Sequence, residues 1–295
     1  MYLLALNVYT KLYESCVCSI SDYRAEVLGF HEYAAQEKLH LRAIRAFLGL
    51  PRNSPAVGLK LEMNWIEPRS RTQCKMVRMY HRLSLMPDTR LTKRVFLWDL
   101  KIADQNRGIS TWSSEVKDIL TRNNMIGTFS LNPFNLRHVV EALETSLREK
   151  DRERLQIAMT RTPKLRTYYF ISGDATTKAY LIKPLSFAQR KLLAKLRLGI
   201  LPIRLESGRY ERPPLSVTDR LCKQCALGEV ENEEHFMLVC PKHSFRRNIL
   251  YSKIENKIDF NCMNNIEKLK LLLNNENLVK ASSQYIVESY AARIT

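Results

Sequence analysis

The sequence predicts a mainly α protein, in which a helical scaffold carries a small cysteine-containing subdomain and C-terminal helices. Apolar residues recur at three- and four-residue spacing over long stretches, as they do on the buried face of a helix. Only nine glycines interrupt the 295 residues, and strand-like segments are short. With 45% hydrophobic and 26% charged residues, the composition is that of a globular chain and not of a disordered one.

Helix patterns follow one another along the first 160 residues. Gly49 and Pro51 end the first of them, and Pro87 ends the second, because proline cannot continue a helix. Ser113 and Ser114 are candidate caps for a later, shorter helix. The predicted helices cover residues 24–48, 70–85, 89 onward, 113–120 and 135–159.

Residues 186–198 carry the best-formed helix signal. Ser186, followed three residues later by Gln189, predicts a capping box, and Gly199 suits the C-terminal end of the helix. The strand signals are weaker. They predict two short strands at the aromatic runs RTYYF (166–170) and KAYLI (178–182).

Composition and charge divide the chain into four predicted parts. A helical region is followed by a basic linker-helix region, a small Cys-Cys-His-Cys subdomain and a set of C-terminal helices. In chain order, these parts cover residues 1–160, 161–220, 221–245 and 246–295.

The net charge is +17 and the pI is near 9.6, a balance that favours a nucleic-acid partner. Residues 41–107 hold 14 Lys/Arg against 5 Asp/Glu, and residues 161–220 hold 13 against 4, whereas those from 222 onward hold 10 against 9. We therefore expect phosphate contacts with RNA, DNA or both to come from upstream of residue 222. The candidate residues on and just after the 186–198 helix are Arg190, Lys191, Lys195, Arg197, Arg204 and Arg209.

Several other chemistry-bearing side chains are expected in the core. Trp65 and Trp98 are candidate base-stacking residues, but their apolar neighbours favour packing inside the protein. Four of the seven cysteines lie in apolar or mixed surroundings and are expected as small buried residues. They are Cys16, Cys18, Cys74 and Cys262.

Cysteine usage and hydropathy predict the compartment. Seven cysteines are an odd number and too few for a disulfide scaffold of this length, so reduced thiols or metal ligands are expected. The first residues lack the basic segment and cleavage site of a secretory signal, and no apolar run approaches the roughly 20 residues that a membrane helix needs. We expect an intracellular protein, nuclear or cytoplasmic, that is not secreted and has no membrane partner.

The stretch LCKQCALGEVENEEHFMLVCP (221–241) carries the most specific motif. Cys222, Cys225, His235 and Cys240 have the spacing C-x2-C-x9-H-x4-C. Nitrogen and sulfur ligands in a set of four are typical of structural zinc, and four protein ligands leave no position for a reactive water. The spacing therefore predicts one structural Zn²⁺. His243 is the one rival ligand, although it would leave a long loop in place of His235.

The chain around this motif is expected to fold tightly. Gly228 lets the backbone turn back after the two first cysteines. Residues 231–238 predict a short helix that presents His235. Cys240 lies five residues further, off the histidine's face, so the helix should end near Leu238, in agreement with Pro241.

Several stretches of the chain together suggest a family. They are LLAKLRLGILPIRLESGRY with CKQC and GEVENEEHFMLVCP, and upstream KLYESCVCSISDYRAEVLGF, AIRAFLGLPRNSPAVGLKLEMNWIEP and RLTKRVFLWD. These stretches resemble the C-terminal zinc-binding region, and the region just before it, of reverse transcriptases from non-LTR (LINE-type) retrotransposons. The resemblance implies that Cys222, Cys225, His235 and Cys240 are metal ligands, and that residues 1–160 correspond to a thumb-like region after the polymerase palm. Residues 100–160 and 250–295 match only loosely.

The catalytic residues of such a polymerase are missing from the sequence. A palm needs paired aspartates to hold two metal ions, and the nine aspartates here stand singly. Neither a glycine-rich phosphate loop nor a Gly-x-Ser-x-Gly or His-Glu-x-x-His motif occurs. We therefore expect no enzyme, but a zinc-stabilised nucleic-acid-binding fragment.

Two alternatives to nucleic-acid binding are left open. The chain could be a helical protein-interaction module with a structural zinc, in which the leucine run at Leu269 and 271–273 meets a partner whose identity the sequence does not give. It could also be a remnant of an element without independent function.

Overall fold

The computed structural model describes residues 4–29, 34–105, 110–125, 136–172, 178–255 and 257–293. Within these ranges the protein is mainly helical and has no strand, which confirms the predicted fold class. The helices are α1 Leu6–Leu12, α2 Ser19–Ser21, α3 Ala25–Leu28, α4 Ala34–Leu48, α5 Ala56–Met63, α6 Pro68–Ser84, α7 Leu91–Gln105, α8 Trp112–Arg122, α9 Leu136–Thr160, α10 Arg166–Ile171, α11 Ala179–Ile182, α12 Phe187–Arg197, α13 Arg204–Ser207, α14 Ser244–Tyr251, α15 Lys257–Cys262, α16 Asn265–Asn274 and α17 Val279–Ala291.

The chain forms two compact units, each assembled from separated stretches. Unit 1 comprises Met1–Lys11, Leu41–Asn64 and Leu155–Thr295, and unit 2 comprises Leu12–His40 and Trp65–Arg154. The four-part division along the chain stays a prediction.

Helix α12 lies in the core of unit 1, where it packs against α10 and α17. Its N-terminus carries the predicted capping box: Ser186 Oγ accepts from the Gln189 amide, and the Gln189 side chain accepts from the Ser186 amide. The helix ends two residues before Gly199, which has a φ of +62°, a left-handed conformation that L side chains rarely adopt. A Cβ at this position would lie 2.0 Å from the Lys164 carbonyl oxygen.

A buried ion pair crosses the core of unit 1. Arg197 Nε lies 2.7 Å from Glu62 Oε1, and both side chains are fully buried. Tyr180 donates its hydroxyl proton to Glu62 Oε2 at 2.8 Å, while Arg197 Nη1 donates to Asn274 Oδ1 at 2.8 Å. A buried charge of this kind is tolerated only when it is paired and hydrogen-bonded, so α5, α11, α12 and α16 are fixed around it.

Unit 2 has its own core, formed where α6 packs against α3, α7 and α8. Tyr80 and Phe96 meet edge to face at its centre, with ring centroids 5.1 Å apart. Helix α8 is capped by Thr111, which forms a reciprocal capping box with Ser114. The buried apolar residues of the cluster are Cys74, Met76, Val77, Tyr80, Leu83, Phe96, Val116, Ile119, Leu120, Val139, Val140, Leu143 and Leu147.

Several local predictions were wrong. The runs at 166–170 and 178–182 lie in helices α10 and α11 and not in strands. The helix predicted over 24–48 is interrupted at Gly29, and its residues 30–33 lie outside the described ranges. Trp98 is 65% exposed, and Cys16 and Cys262 are also exposed, whereas Cys18 and Cys74 are buried as expected. The Trp65 ring stacks on Tyr13, with centroids 4.4 Å apart.

The described helices include none that is long and apolar enough to cross a membrane.

Candidate metal centre

The first two candidate ligands lie in a tight hairpin of unit 1. The Cys222 amide donates to the Glu229 carbonyl at 2.8 Å, and the Glu231 amide donates to the Arg220 carbonyl at 3.1 Å. These two bonds flank a single antiparallel bridge between Leu221 and Val230. The hairpin brings the 222–225 loop back over the segment that carries His235.

The hairpin needs one glycine. Gly228 has a φ of +67°, a left-handed conformation that L side chains rarely adopt, and a Cβ there would meet nothing within 4 Å. The requirement at this position is therefore one of backbone conformation and not of space, as the sequence predicted.

The other two ligands flank one π-helical turn, His235–Val239: His235 begins the turn, and Cys240 follows its last residue. The Cys240 amide donates to the His235 carbonyl at 2.8 Å, a five-residue step that closes the wider ring of a π-turn. This turn replaces the end of the α-helix that we predicted over 231–238. A π-turn contains one residue more than an α-helical turn, so the side chains of His235 and Cys240 point to the same site.

The four ligand atoms converge on one point. All of them lie within 4.8 Å of one another, with Cys222 Sγ 3.9 Å from Cys240 Sγ and Cys225 Sγ 3.4 Å from His235 Nε2. Ligands at the corners of a tetrahedron, with Zn–S near 2.3 Å and Zn–N near 2.0 Å, are about 3.5–3.8 Å apart. The cluster therefore has the size of a tetrahedral site and can hold a metal ion.

Two polar residues that the sequence analysis missed orient the histidine. Glu229 Oε2 lies 3.0 Å from His235 Nδ1, so this nitrogen donates to the carboxylate and Nε2 is left to face the cysteines. Asn232 Oδ1 accepts from the His235 amide at 2.7 Å. An acidic residue in the loop between CxxC and histidine was the only signal for Glu229.

Burial favours the neutral thiols of Cys222 and Cys240 when no cation is present. Burial raises the pKa of the Cys222 thiol to about 11 and raises that of Cys240, while the Gln224 backbone amide, 3.4 Å from Cys222 Sγ, partly offsets the effect. A bound cation reverses this balance, because a coordinating thiol is deprotonated by the metal. Metal binding at this cluster therefore releases protons.

The π-turn is fixed to the rest of unit 1 by a buried arginine and a tyrosine. Arg247 donates to the carbonyl oxygens of Met237 and Cys240 at 3.1 and 2.5 Å, and thereby satisfies carbonyls at the end of the turn. Tyr285 donates to the Phe236 carbonyl at 2.9 Å. The ligand-bearing segment is thus hydrogen-bonded into the core of unit 1.

Two buried carboxylates continue this attachment on the other side. Glu231 pairs with Arg293 and accepts from the Arg204 amide at 2.8 Å. Glu233 pairs with Arg166 at 2.6 Å and accepts from the Thr167 hydroxyl at 2.9 Å.

The rival ligand His243 lies near this site but takes a different role. It is fully buried, and its ring packs edge to face against Phe236 with centroids 5.2 Å apart. Burial lowers its pKa to about 4, helped by the positive charge of Arg247. The cluster is formed with His235, and His243 is a neutral core residue.

Two of the six predicted phosphate-binding residues lie inside the protein, which corrects that part of the prediction. Arg197 is enclosed by Glu62 and Asn274, and Arg190 is buried with its guanidinium 4.0 Å from the centre of the Phe47 ring. Neither guanidinium faces solvent, so these two residues are not surface contacts for a phosphate.

The other four predicted phosphate-binding residues are only partly available to a phosphate. Lys191 and Lys195 are half-buried, and burial lowers the pKa of Lys195. Arg204 pairs with Glu211, and Arg209 lies 3.0 Å from Glu206.

No family model matches this chain, and searches of curated proteins and of solved structures find no significant match.

Proposed function

We propose that this chain is a nucleic-acid-binding segment of the LINE-type reverse-transcriptase class, in which one structural Zn²⁺ is held by Cys222, Cys225, His235 and Cys240. The observation that carries the proposal is the convergence of these four ligand atoms within 4.8 Å, at the spacing that carries the resemblance. The segment binds and does not catalyse, and it acts inside the cell, in the nucleus or cytoplasm.

The donor set supports zinc as the ion. Three thiolates and one imidazole are soft and borderline ligands, which suit Zn²⁺ and not the oxygen-preferring Mg²⁺ or Ca²⁺. With all four positions taken by protein atoms, the ion stabilises the fold and has no open position for a substrate. Protein purified with zinc present should contain about one zinc per chain by metal analysis; metal-free protein prepared in this way would contradict the proposal.

Nucleic acid is the partner that the charge favours. A net charge of +17 attracts a polyanion, and each neutralised phosphate releases counterions, so affinity should fall steeply with salt. Titration of labelled RNA and DNA at two ionic strengths tests this directly. Absence of binding at low salt would refute the proposed function.

A protein-interaction module is the second candidate, and one surface favours it. On α7, Leu91, Val95 and Trp98 lie at i, i+4 and i+7 and are all exposed, Leu91 by 73%. The leucine run of α16, in contrast, packs inside unit 1, where Leu269, 272 and 273 are buried. Partners captured by the full chain after nuclease treatment, and lost with Trp98→Ala, would favour this function over the first.

A further inference from the structure

The described part of unit 2 contains a basic groove with a volume of about 840 Å³. It is lined by the C-terminal half of α6, by residues of the segment 85–90 that follows, and by Glu26 of α3. Four cationic side chains line it, Lys75, Arg78, Arg82 and Arg90. We propose that this basic groove binds a single strand of nucleic acid; the inference deepens the proposed function and rests on it.

Three of its arginines have no acidic partner among the described residues. Arg78, Arg82 and Arg90 are exposed, and none of them forms an ion pair in the described part of the chain. The Arg82 guanidinium instead lies against the Met79 sulfur, 2.8 Å away. Their charge is therefore available to an anion from outside.

Exposed arginines of α8 and α9 in the same unit behave differently. Arg122 pairs with Asp118, Arg137 with Glu141, and Arg148 with Glu144, each one turn away on its own helix. Local pairing neutralises these three arginines, whereas Arg78, Arg82 and Arg90 of the basic groove have no such partner among the described residues.

Among the described residues, Lys75 is the one groove cation that forms an ion pair within the protein. Lys75 lies 3.1 Å from the buried carboxylate of Asp22, which Arg71 also contacts at 2.5 Å. Glu26 is the single acidic residue of the described lining, against four cations. The groove is thus complementary in charge to a chain of phosphates.

The spacing of the cations fits an extended strand. Lys75, Arg78 and Arg82 follow one another at steps of three and four residues, so they lie on one face of α6. At about 1.5 Å per residue, successive charges are roughly 4.5–6 Å apart along the helix axis. A single-stranded backbone can follow such a row.

The apolar lining of the groove distinguishes a single strand from a duplex. Met79, Leu85, Met86 and Pro87 contribute apolar side chains to the lining beside the cations. Unpaired bases present flat apolar faces that can pack on such a lining, with methionine adapting to their shape, whereas the bases of a duplex are turned inward. The phosphates of a duplex would contact the arginines, but its bases would not cover the apolar residues of the lining.

The test compares two triple variants of the full chain with the same change in charge. R78Q/R82Q/R90Q removes the groove arginines, and R122Q/R137Q/R148Q removes arginines that are paired on α8 and α9. Binding of labelled oligo-dT and oligo-U is measured by fluorescence anisotropy between 50 and 200 mM salt. We expect the groove variant to bind at least tenfold more weakly than the control variant at 100 mM salt. The slope of log affinity against log salt should fall by about 2, that is about 0.7 for each of three lost phosphate contacts.

A third variant separates misfolding from lost contacts. R78K/R82K/R90K keeps the charge and should retain most of the binding, and circular dichroism should report equal helix content in all variants. The inference is overturned if the groove and control variants bind single strands equally well. It is also overturned if the groove variant loses binding to a duplex of the same length as strongly as binding to the single strand.

The outcomes separate this inference from the proposed function. If the wild-type chain binds no nucleic acid at low salt, the proposed function fails first. If the wild type binds and the groove variant binds equally well, only the groove assignment fails. An acidic amphipathic peptide that binds the wild type but not the groove variant, with single strands binding both alike, would assign the groove to a protein partner and overturn the inference.

Discussion

The hydrogen bond between Glu229 and His235 gives the sharpest prediction for the metal centre. Changing Glu229→Ala removes the acceptor 3.0 Å from His235 Nδ1, so the ring can rotate and Nε2 is no longer fixed 3.4 Å from Cys225 Sγ. Loss of such a partner typically weakens metal binding 10–100-fold. Because the Glu229 side chain is 54% exposed, water can take over as acceptor, and we expect the lower end, about tenfold or about 1.4 kcal/mol.

A graded series makes this prediction specific. Glu229→Gln keeps a neutral acceptor oxygen, so its zinc affinity should lie between those of the wild type and Glu229→Ala. Glu276→Ala removes the same charge from a side chain that is 72% exposed and lies outside the cluster, where it meets Lys183 at 3.4 Å. This control should bind zinc as the wild type does.

Competition with a chromophoric chelator at fixed pH measures the affinities. Unchanged affinity in Glu229→Ala would show that the carboxylate does not orient the histidine. An equal loss in Glu276→Ala would mean that overall charge, and not the hydrogen bond, sets the affinity; either result refutes the reasoning.

Three further perturbations test the rest of unit 1. Arg197→Met leaves the buried Glu62 without its counter-ion and should lower the free energy of unfolding by about 3–5 kcal/mol in urea titrations. Adding Glu62→Gln should restore most of the lost stability, whereas no loss in the single variant would contradict the role of the pair. Cys222→Ser with Cys225→Ser should reduce zinc from about one per chain to near zero and lower the melting temperature with it; retained zinc would contradict the ligand set. Gly199→Ala should destabilise the chain by about 2 kcal/mol or more, because the new Cβ would clash with the Lys164 carbonyl and the φ of this position is unfavourable for alanine. An unchanged midpoint in urea titrations would show that the helix end can relax.

The sequence predicted those features of unit 1 that depend only on residues close together in the chain. The capping box at Ser186 and the turn at Gly228 are both in the structure, because each involves backbone groups only a few residues away. The same holds for the cysteine–histidine cluster, whose ligands all lie within 19 residues of chain.

Features that depend on distant partners were not predictable. Arg190 and Arg197 occupy i and i+7 on the buried stripe of α12, where a sequence pattern assigns charged residues to the surface. Their burial follows from Phe47 and Glu62, more than 130 residues earlier. Likewise, aromatic residues at 166–170 favour a strand locally, but Tyr168 and Ile171 are buried at helical spacing by tertiary packing.

The order in which the chain leaves the ribosome gives the Glu62 ion pair a further consequence. The partners of Glu62, Tyr180 and Arg197, are synthesised 118 and 135 residues later. The last residue of unit 2, Arg154, emerges before either of them. A nascent chain can therefore complete unit 2 while Glu62 is still hydrated, and unit 1 can close only after α12 has emerged. A chain that terminates before residue 180 would contain neither partner of the Glu62 carboxylate. Unit 1 should therefore stay unfolded in that truncated product.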